Sequence, residues 1–179
     1  MRRHQPFYCE ENIWWLAQEP HFVGRDPHAL FISNAAGRCL LAHQRAGGDD
    51  GRVVWDYHVI LIARIEGGSG WEAWDLDSSL PCPEALPAYL RATFPAAVAP
   101  ALAPRFRVVP APLFVATFAT DRAHMRNPDG SWQQPPPPWP PPGEGPSNLM
   151  QWVVMGERES VPAMELTALC ARFGVGAPR

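Results

Sequence analysis

At 179 residues and a formal net charge of −3, the chain has the length of one domain with a sizeable core and carries no block of like charge. That excludes a nucleic-acid surface as its main contact, because such a surface shows a basic stripe; the fifteen basic residues are all Arg, a codon bias rather than a mechanism. Arg2 and Arg3 lead into no apolar segment, and no apolar run nears the roughly 20 residues that cross a bilayer, so a soluble, cytoplasmic protein without signal or anchor is expected.

The first predicted element is a short helix from Cys9 to Gln18. Ile13, Leu16 and Ala17 recur at helical spacing, one of Trp14 and Trp15 joins their face, and Pro20 forbids continuation. Glu10 and Glu11 fall in the first turn, where negative charge complements the positive end of the macrodipole. Ala29 to Ser33 reads as a strand, Asn34 to Gly37 as a turn, Arg38 to Ala42 as a second short strand, and Gly47 to Gly51 as a flexible connection.

The organising stretch runs from Val53 to Asp77. β-branched and aromatic residues crowd both sides of Gly67-Gly68-Ser69-Gly70, which predicts a hairpin. Along its first strand, read as continuous, Val54, Asp56, His58, Ile60 and Ile62 share one face, and Val53, Trp55, Tyr57, Val59 and Leu61 the other. Asp75 and Asp77 share a face of the second strand, and folding back brings one of them near the His58 imidazole; spacing leaves open which. A carboxylate so placed fixes the ring tautomer and stabilises the imidazolium. The ordinary alternative is a hydrogen-bonded core histidine and solvated acids.

Beyond the hairpin, a helix is expected from Glu84 to Thr93, with Leu86, Tyr89, Leu90 and Thr93 on one side and Pro95 as its stop. Phe106 to Val109 and Leu113 to Phe118 read as strands, rich in Val and Phe and bounded by proline. In the polar loop from Ala119 to Met125, His124 is either a second acid–base group or, more ordinarily, a hydrogen-bonding prop. Pro135 to Pro142, interrupted only by Trp139, must be extended, as a rigid loop packed on the surface. Asn148 to Met155 is open between strand and short helix. Ala163 to Phe173 is a helix whose stripe of Leu166, Leu169, Cys170 and Phe173 makes Cys170 a core residue.

The four cysteines, Cys9, Cys39, Cys82 and Cys170, form no C-x-x-C pair, so reduced thiols are expected rather than a zinc site or disulfides. No repeat, phosphate loop, dinucleotide fingerprint or zinc-protease motif occurs, and a site without metal or cofactor is the economical reading. Cys9 stands apart because a helix start offers free N–H groups that lower a thiol pKa and can hold an oxyanion. With His58 as base it has the makings of a nucleophile; as a structural residue it is a small buried thiol. Cysteine at a helix start, histidine on a strand and acid on the next strand is the order used by papain-like and transglutaminase-like enzymes.

Tyr8-Cys9-Glu10-Glu11-Asn12-Ile13-Trp14 and Trp55-Asp56-Tyr57-His58-Val59 resemble the two signature stretches of the protein N-terminal glutamine amidohydrolase family. Further matches follow in the same order: Phe31 to Asn34, Asp75 to Asp77, Leu80-Pro81, Phe106 to Val108, Asp121-Arg122, His124-Met125, Pro135 to Pro138 and Arg172 to Gly174. The chain departs most from the pattern between Ala35 and Arg52 and from Gly143 to Ser160. The resemblance implies an α/β (α+β) fold of the papain-like or transglutaminase-like cysteine-hydrolase type, with an antiparallel sheet packed against helices. It implies a catalytic triad of Cys9, His58 and Asp75, the likeness choosing Asp75 over Asp77. It further implies deamidation of N-terminal glutamine, on proteins or peptides, to glutamate and ammonia through a thioester, without a cofactor; a monomer is expected. Recognition of a free α-ammonium calls for a carboxylate, and Glu10, Asp56 and Asp121 are the candidates. The rival readings are a thiol protease or transglutaminase with the same triad, and a non-catalytic peptide-binding module.

Overall fold

Apolar runs with no polar face must be covered on both sides, and that requirement shapes this molecule. The computed structural model describes residues 2–156 and 161–176. In chain order the elements are α1 (Cys9–Leu16), β1 (His28–Ser33), β2 (Cys39–Leu41), β3 (Val53–Trp55), β4 (His58–Arg64), β5 (Trp71–Trp74), β6 (Glu84–Ala85), α2 (Leu86–Thr93), β7 (Arg105–Pro110), α3 (Ala111–Thr117), α4 (Leu149–Val153) and α5 (Leu166–Phe173). Five strands form one sheet in the order β6-β5-β4-β1-β7, every neighbouring pair antiparallel. β2 and β3 pair separately.

β1 and β4 lie at the centre, and all of β1 is buried. Alternation sends Ala29 and Phe31, with Val59, Leu61 and Ala63, into a core roofed by α1, α3 and α4. Leu30 and Ile32, with Ile60 and Ile62, point the other way, beneath α2 and α5. The result is a mixed α+β fold, an antiparallel sheet between helices. The expected apolar face of α2 is present in full, with Leu86, Tyr89, Leu90 and Thr93 buried, and Cys170 lies in the core. Among the described residues, no helix is long and apolar enough to cross a membrane.

Three sequence expectations are corrected. The strand expected to run unbroken from Val53 stops at Trp55 and resumes at His58, in a different sheet. Asp56 makes the break: its carboxylate accepts the Tyr57 N–H, and its carbonyl accepts the Ser33 hydroxyl at the end of β1. Of Leu113 to Phe118, expected as a strand, all but the extended cap residue Phe118 belongs to α3. Pro112 fits the first turn of a helix, where an N–H is not needed, and helical spacing sets Phe114 and Phe118 side by side with centroids 4.9 Å apart. β propensity yields there to the burial of two rings. The connection through Gly47 to Gly51 is not featureless but turns through short 3₁₀ segments over Arg45–Asp50. Asn148 to Met155 resolves as helix, in α4.

Arg107, on β7, is buried and holds α4 against the sheet. Its guanidinium donates to the carbonyls of Gln151, Trp152 and Val154 at the end of α4 and to that of Val161. Those carbonyls have no intrahelical donor, so the arginine acts as a cap supplied by a distant strand. Replacing Arg107 with Ala leaves several of them unsatisfied, and unfolding in urea should show a loss of about 3 kcal/mol or more.

Candidate active site

The entry into α1 is tied before the helix begins. Asn12 accepts the Gln5 N–H and donates to the Gln5 carbonyl, closing the chain into a loop that ends at Cys9. Inside it Phe7 has φ of 70°, a conformation costly for an aromatic residue, which the Asn12 clamp maintains. Tyr8 anchors the same loop by donating to the Gln134 carbonyl, next to the proline run. α1 packs on β4 through Ile13 and Leu16, which sets Cys9, its first residue, over the start of that strand. Of the paired tryptophans it is Trp14 that packs against the core, its indole donating to the Val115 carbonyl.

His58 opens β4 opposite Ile32. Its Nε2 donates to Asp75 Oδ1 at 2.9 Å, and both side chains are only 2% exposed. The β4–β5 register pairs Leu61 with Trp74, and continued by three pairs it would set His58 opposite Asp77. The strand ends at Trp74 instead, so both acids lie on the turn beyond β5 rather than on the strand. That turn swings the Asp75 carboxylate back to the imidazole, while Asp77 Oδ1 lies 2.8 Å from His4 Nε2. Asp75 also accepts the Asp77 N–H on Oδ1, and Gln44 and the Tyr89 hydroxyl on Oδ2. Gln44 in turn accepts the Trp55 indole N–H, and the Trp55 ring stacks on His58 at 5.9 Å and 14°. The imidazole is thereby fixed in tautomer and in plane, with Nδ1 left for chemistry.

Burial alone would raise the Asp75 carboxyl, but the His58 charge and the hydrogen bonds from His58, Gln44 and Tyr89 outweigh it and hold the group below its ordinary range. Burial disfavours the His58 imidazolium, yet the charge and hydrogen bond of Asp75, with Asp77 and Glu10, carry its pKa upward. Cys9 departs from expectation. Burial pushes the thiol well above its usual value, the Glu10 and Asp77 carboxylates push the same way, and the Val59 main-chain N–H opposes them. Burial, and the Glu10 carboxylate with Oε2 3.7 Å from the sulfur, act against the lowering expected of a helix start.

The acids of the first turn are not surface complements to a dipole. Glu11 is fully buried and takes a two-pronged ion pair from Arg122, at 2.7 and 2.8 Å. Arg122 also donates to the Pro137 and Trp139 carbonyls, pinning the proline run, which bends at Pro138 and Trp139, against α1. Glu10, also fully buried, accepts the Tyr57 hydroxyl at 3.0 Å and has His124 Nε2 3.5 Å from its other oxygen. His124 is thus a half-buried prop; burial lowers its pKa, but the hydrogen bond and charge of Glu10 prevail and raise it.

A cavity of about 660 Å³ opens over these groups, with Cys9, Trp55, Asp56, Tyr57, His58 and His124 in its walls. Cys9 and His58, predicted as partners, share it. Of the three acids proposed for the substrate ammonium, Asp56 is exposed on the cavity wall, Glu10 is sealed behind it, and Asp121 is exposed elsewhere, its carboxylate accepting the Ala123 N–H. Gln44, Tyr89, Asn12 and Arg122 were not predicted as site residues. Only Asn12 and Arg122 fell in stretches that the family likeness marked, and nothing in their spacing gave a role. His58, Asp75 and Asp77 bring ligand atoms within 4.8 Å of one another, as a metal site would. Both Asp75 oxygens already accept hydrogen bonds, so a cation there must displace the donors that orient the imidazole.

An antiparallel sheet between helices that brings a thiol and a carboxylate-bound imidazole to one cavity belongs to the class of α+β proteins with the side chains of acyl transfer. The N-terminal glutamine amidase family matches residues 4–174, and the chain belongs to that family. A relative from Arabidopsis thaliana named protein N-terminal glutamine amidohydrolase is 44% identical over 149 residues, covering 78% of this chain and 67% of its own. A protein of the same name from Homo sapiens is 35% identical over 176 residues, 93% of this chain and 85% of its own. Another from Danio rerio is 37% identical over 139 residues, covering 74% and 68%.

Replacing Glu11 with Gln leaves the Arg122 guanidinium buried without its counter-charge. Denaturant unfolding should then report a loss of about 3–5 kcal/mol.

Proposed function

We propose that the chain is a hydrolase that deamidates N-terminal glutamine on proteins or peptides, yielding N-terminal glutamate and ammonia, with Cys9 as nucleophile, His58 as acid–base and Asp75 as the group that orients His58. The observation that carries the reading is the buried His58–Asp75 hydrogen bond beside a cavity that Cys9 also lines, in a chain of this family.

Cys9 passes its proton to His58 Nδ1 and attacks the side-chain carboxamide carbon. Main-chain N–H groups at the start of α1 hold the oxyanion. As the tetrahedral intermediate collapses, His58 returns the proton to the leaving nitrogen, ammonia departs and a thioester remains. Water deprotonated by His58 then attacks the thioester, and the γ-carboxylate of glutamate is released as the thiol is restored. Asp75 stays ionised throughout, supported by Gln44 and Tyr89. Restriction to N-terminal residues fits a cavity with Asp56 and Asp77 in its walls, which favours an α-ammonium. Asp56 is the acid best placed to meet it, with Glu10 adding negative potential from behind the wall.

Incubated with the protein, a peptide starting with glutamine should gain about one mass unit as amide becomes acid, a consequence of acyl transfer to water, whereas acetylated or internal glutamine should not react. Replacing Cys9 with Ala should end ammonia release, and replacing His58 with Ala should lower kcat by about 10²–10⁴-fold; undiminished release from the Cys9 variant would refute the nucleophile.

The rate should rise with pH as the His58 imidazolium loses its proton. Because Asp75 raises that pKa, Asp75→Asn should move the acid limb of the kcat/KM profile to lower pH while reducing the plateau, and a limb that stays in place would show that another group titrates.

A further inference from the structure

A γ-glutamyl thioester at Cys9 carries its own competing nucleophile. The substrate's free α-amine is joined to the acyl carbon through three carbons, so its attack closes a five-membered lactam and leaves an N-terminal pyroglutamate. In that step the nitrogen lone pair forms the C–N bond, the C–S bond breaks, and the proton lost from nitrogen passes through His58 to the Cys9 sulfur. Well-oriented intramolecular attack has an effective concentration of up to about 10⁵–10⁸ M, which water does not approach. A free α-amine titrates at about 7.7–8.0, so near neutrality an unguarded amine has its lone pair for an appreciable part of the time. Hydrolysis prevails when that nitrogen is kept protonated.

The cavity holds a group suited to that task. Asp56 sits in the break between β3 and β4, exposed on the cavity wall and two residues before His58. One of its carboxylate oxygens is fixed by the Tyr57 N–H, and among the described residues the other accepts no hydrogen bond. The neighbouring acids are engaged: Glu10 takes the Tyr57 hydroxyl and faces His124, and Asp77 Oδ1 lies against His4. The Asp56 charge also acts on the Cys9 thiol, which sets the two groups around one bound glutamine. An opposite charge within about 4–6 Å favours the ionised form of an amine. We propose that Asp56 keeps the substrate's α-ammonium protonated through the thioester stage, so that the intermediate is hydrolysed to glutamate rather than closed to pyroglutamate. One side-chain charge thus decides between two products of the same thioester. The inference rests on the glutamine amidohydrolase reading.

Mass spectrometry of a peptide that starts with glutamine, with ammonia measured in parallel, tests this in the parent protein, Asp56→Asn and Asp56→Glu. Hydrolysis adds about one mass unit and cyclisation removes about 17, while both release ammonia. Product that Cys9→Ala also forms is spontaneous cyclisation and is subtracted. The parent should give glutamate at about pH 7, with a pyroglutamyl share that grows at about pH 9 and above as the bound ammonium loses its proton. Asp56→Asn keeps an oxygen for the Tyr57 N–H but loses the charge; it should raise the pyroglutamyl share at about pH 7 by about 10-fold, the effect of lowering the ammonium pKa by about one unit. Asp56→Glu should restore glutamate as the product, whereas a merely structural role would slow both routes and leave their ratio alone. Ammonia release by Asp56→Asn with glutamate as the product at every pH would overturn the proposal and leave the amidohydrolase reading standing. If that variant releases no ammonia, the parent decides: glutamate alone at about pH 9.5 would overturn the proposal, and pyroglutamate that depends on Cys9 would sustain it. No ammonia from the parent would overturn the amidohydrolase reading and the proposal with it.

Discussion

The site depends on the burial of one carboxylate. Asp75 is 2% exposed, and an anion so placed is tolerable only when its lone pairs are met. Its donors come from separate parts of the chain: His58 at the head of β4, Gln44 between the small strands, Tyr89 on α2 and the Asp77 main chain. The interactions close on themselves, because Gln44 also takes the Trp55 indole and Trp55 lies flat on His58. An imidazole held in this way cannot turn without exposing a buried charge. The Asp56 break between β3 and β4 makes the arrangement possible, since Trp55 belongs to one sheet and His58 to the other.

A second constraint is the sign of the charge around the sulfur. Burial first, and then Glu10 beside Cys9 with Asp77, pushes the thiol pKa upward. The buried arginine nearby is committed to Glu11 and to the proline run, and offers the sulfur no cation. In the proposed reaction the proton acceptor is then His58, raised by Asp75, and the positive charge is the one that a substrate's own amino terminus brings. A pocket lined by acids suits a free α-ammonium for the same reason that it makes a poor resting thiolate.

Much of this was legible. The alternation through β1 and β4, the glycine turn between β4 and β5 and the buried side of α2 all follow from local rules. So did the meeting of His58 with an acid of the following segment. The misreadings share one cause. Leu113 to Phe118 has strand propensity but is helical up to Thr117, because Phe114 and the cap residue Phe118, four apart, reach the same core. The long first strand of the hairpin breaks because Ser33, from another strand, captures the carbonyl at Asp56. Glu10 and Glu11 were legible only as first-turn acids that complement a helix dipole, because their partners Tyr57, His124 and Arg122 lie 47 to 114 positions away.

By itself the sequence determined which segments are strand or helix where periodicity is strong, and it carried the family likeness through the stretches around Cys9 and His58. The family likeness chose Asp75 over Asp77 where spacing could not; only the tertiary structure decided how the turn beyond β5 brings Asp75 to the imidazole, that Gln44 and Tyr89 support it, and that the thiol is raised rather than lowered. The physical reason is common to all three. Periodicity and propensity act over a few residues, whereas the satisfaction of a buried charge is settled by whichever groups the packed chain brings within hydrogen-bonding distance, however far apart they stand in sequence.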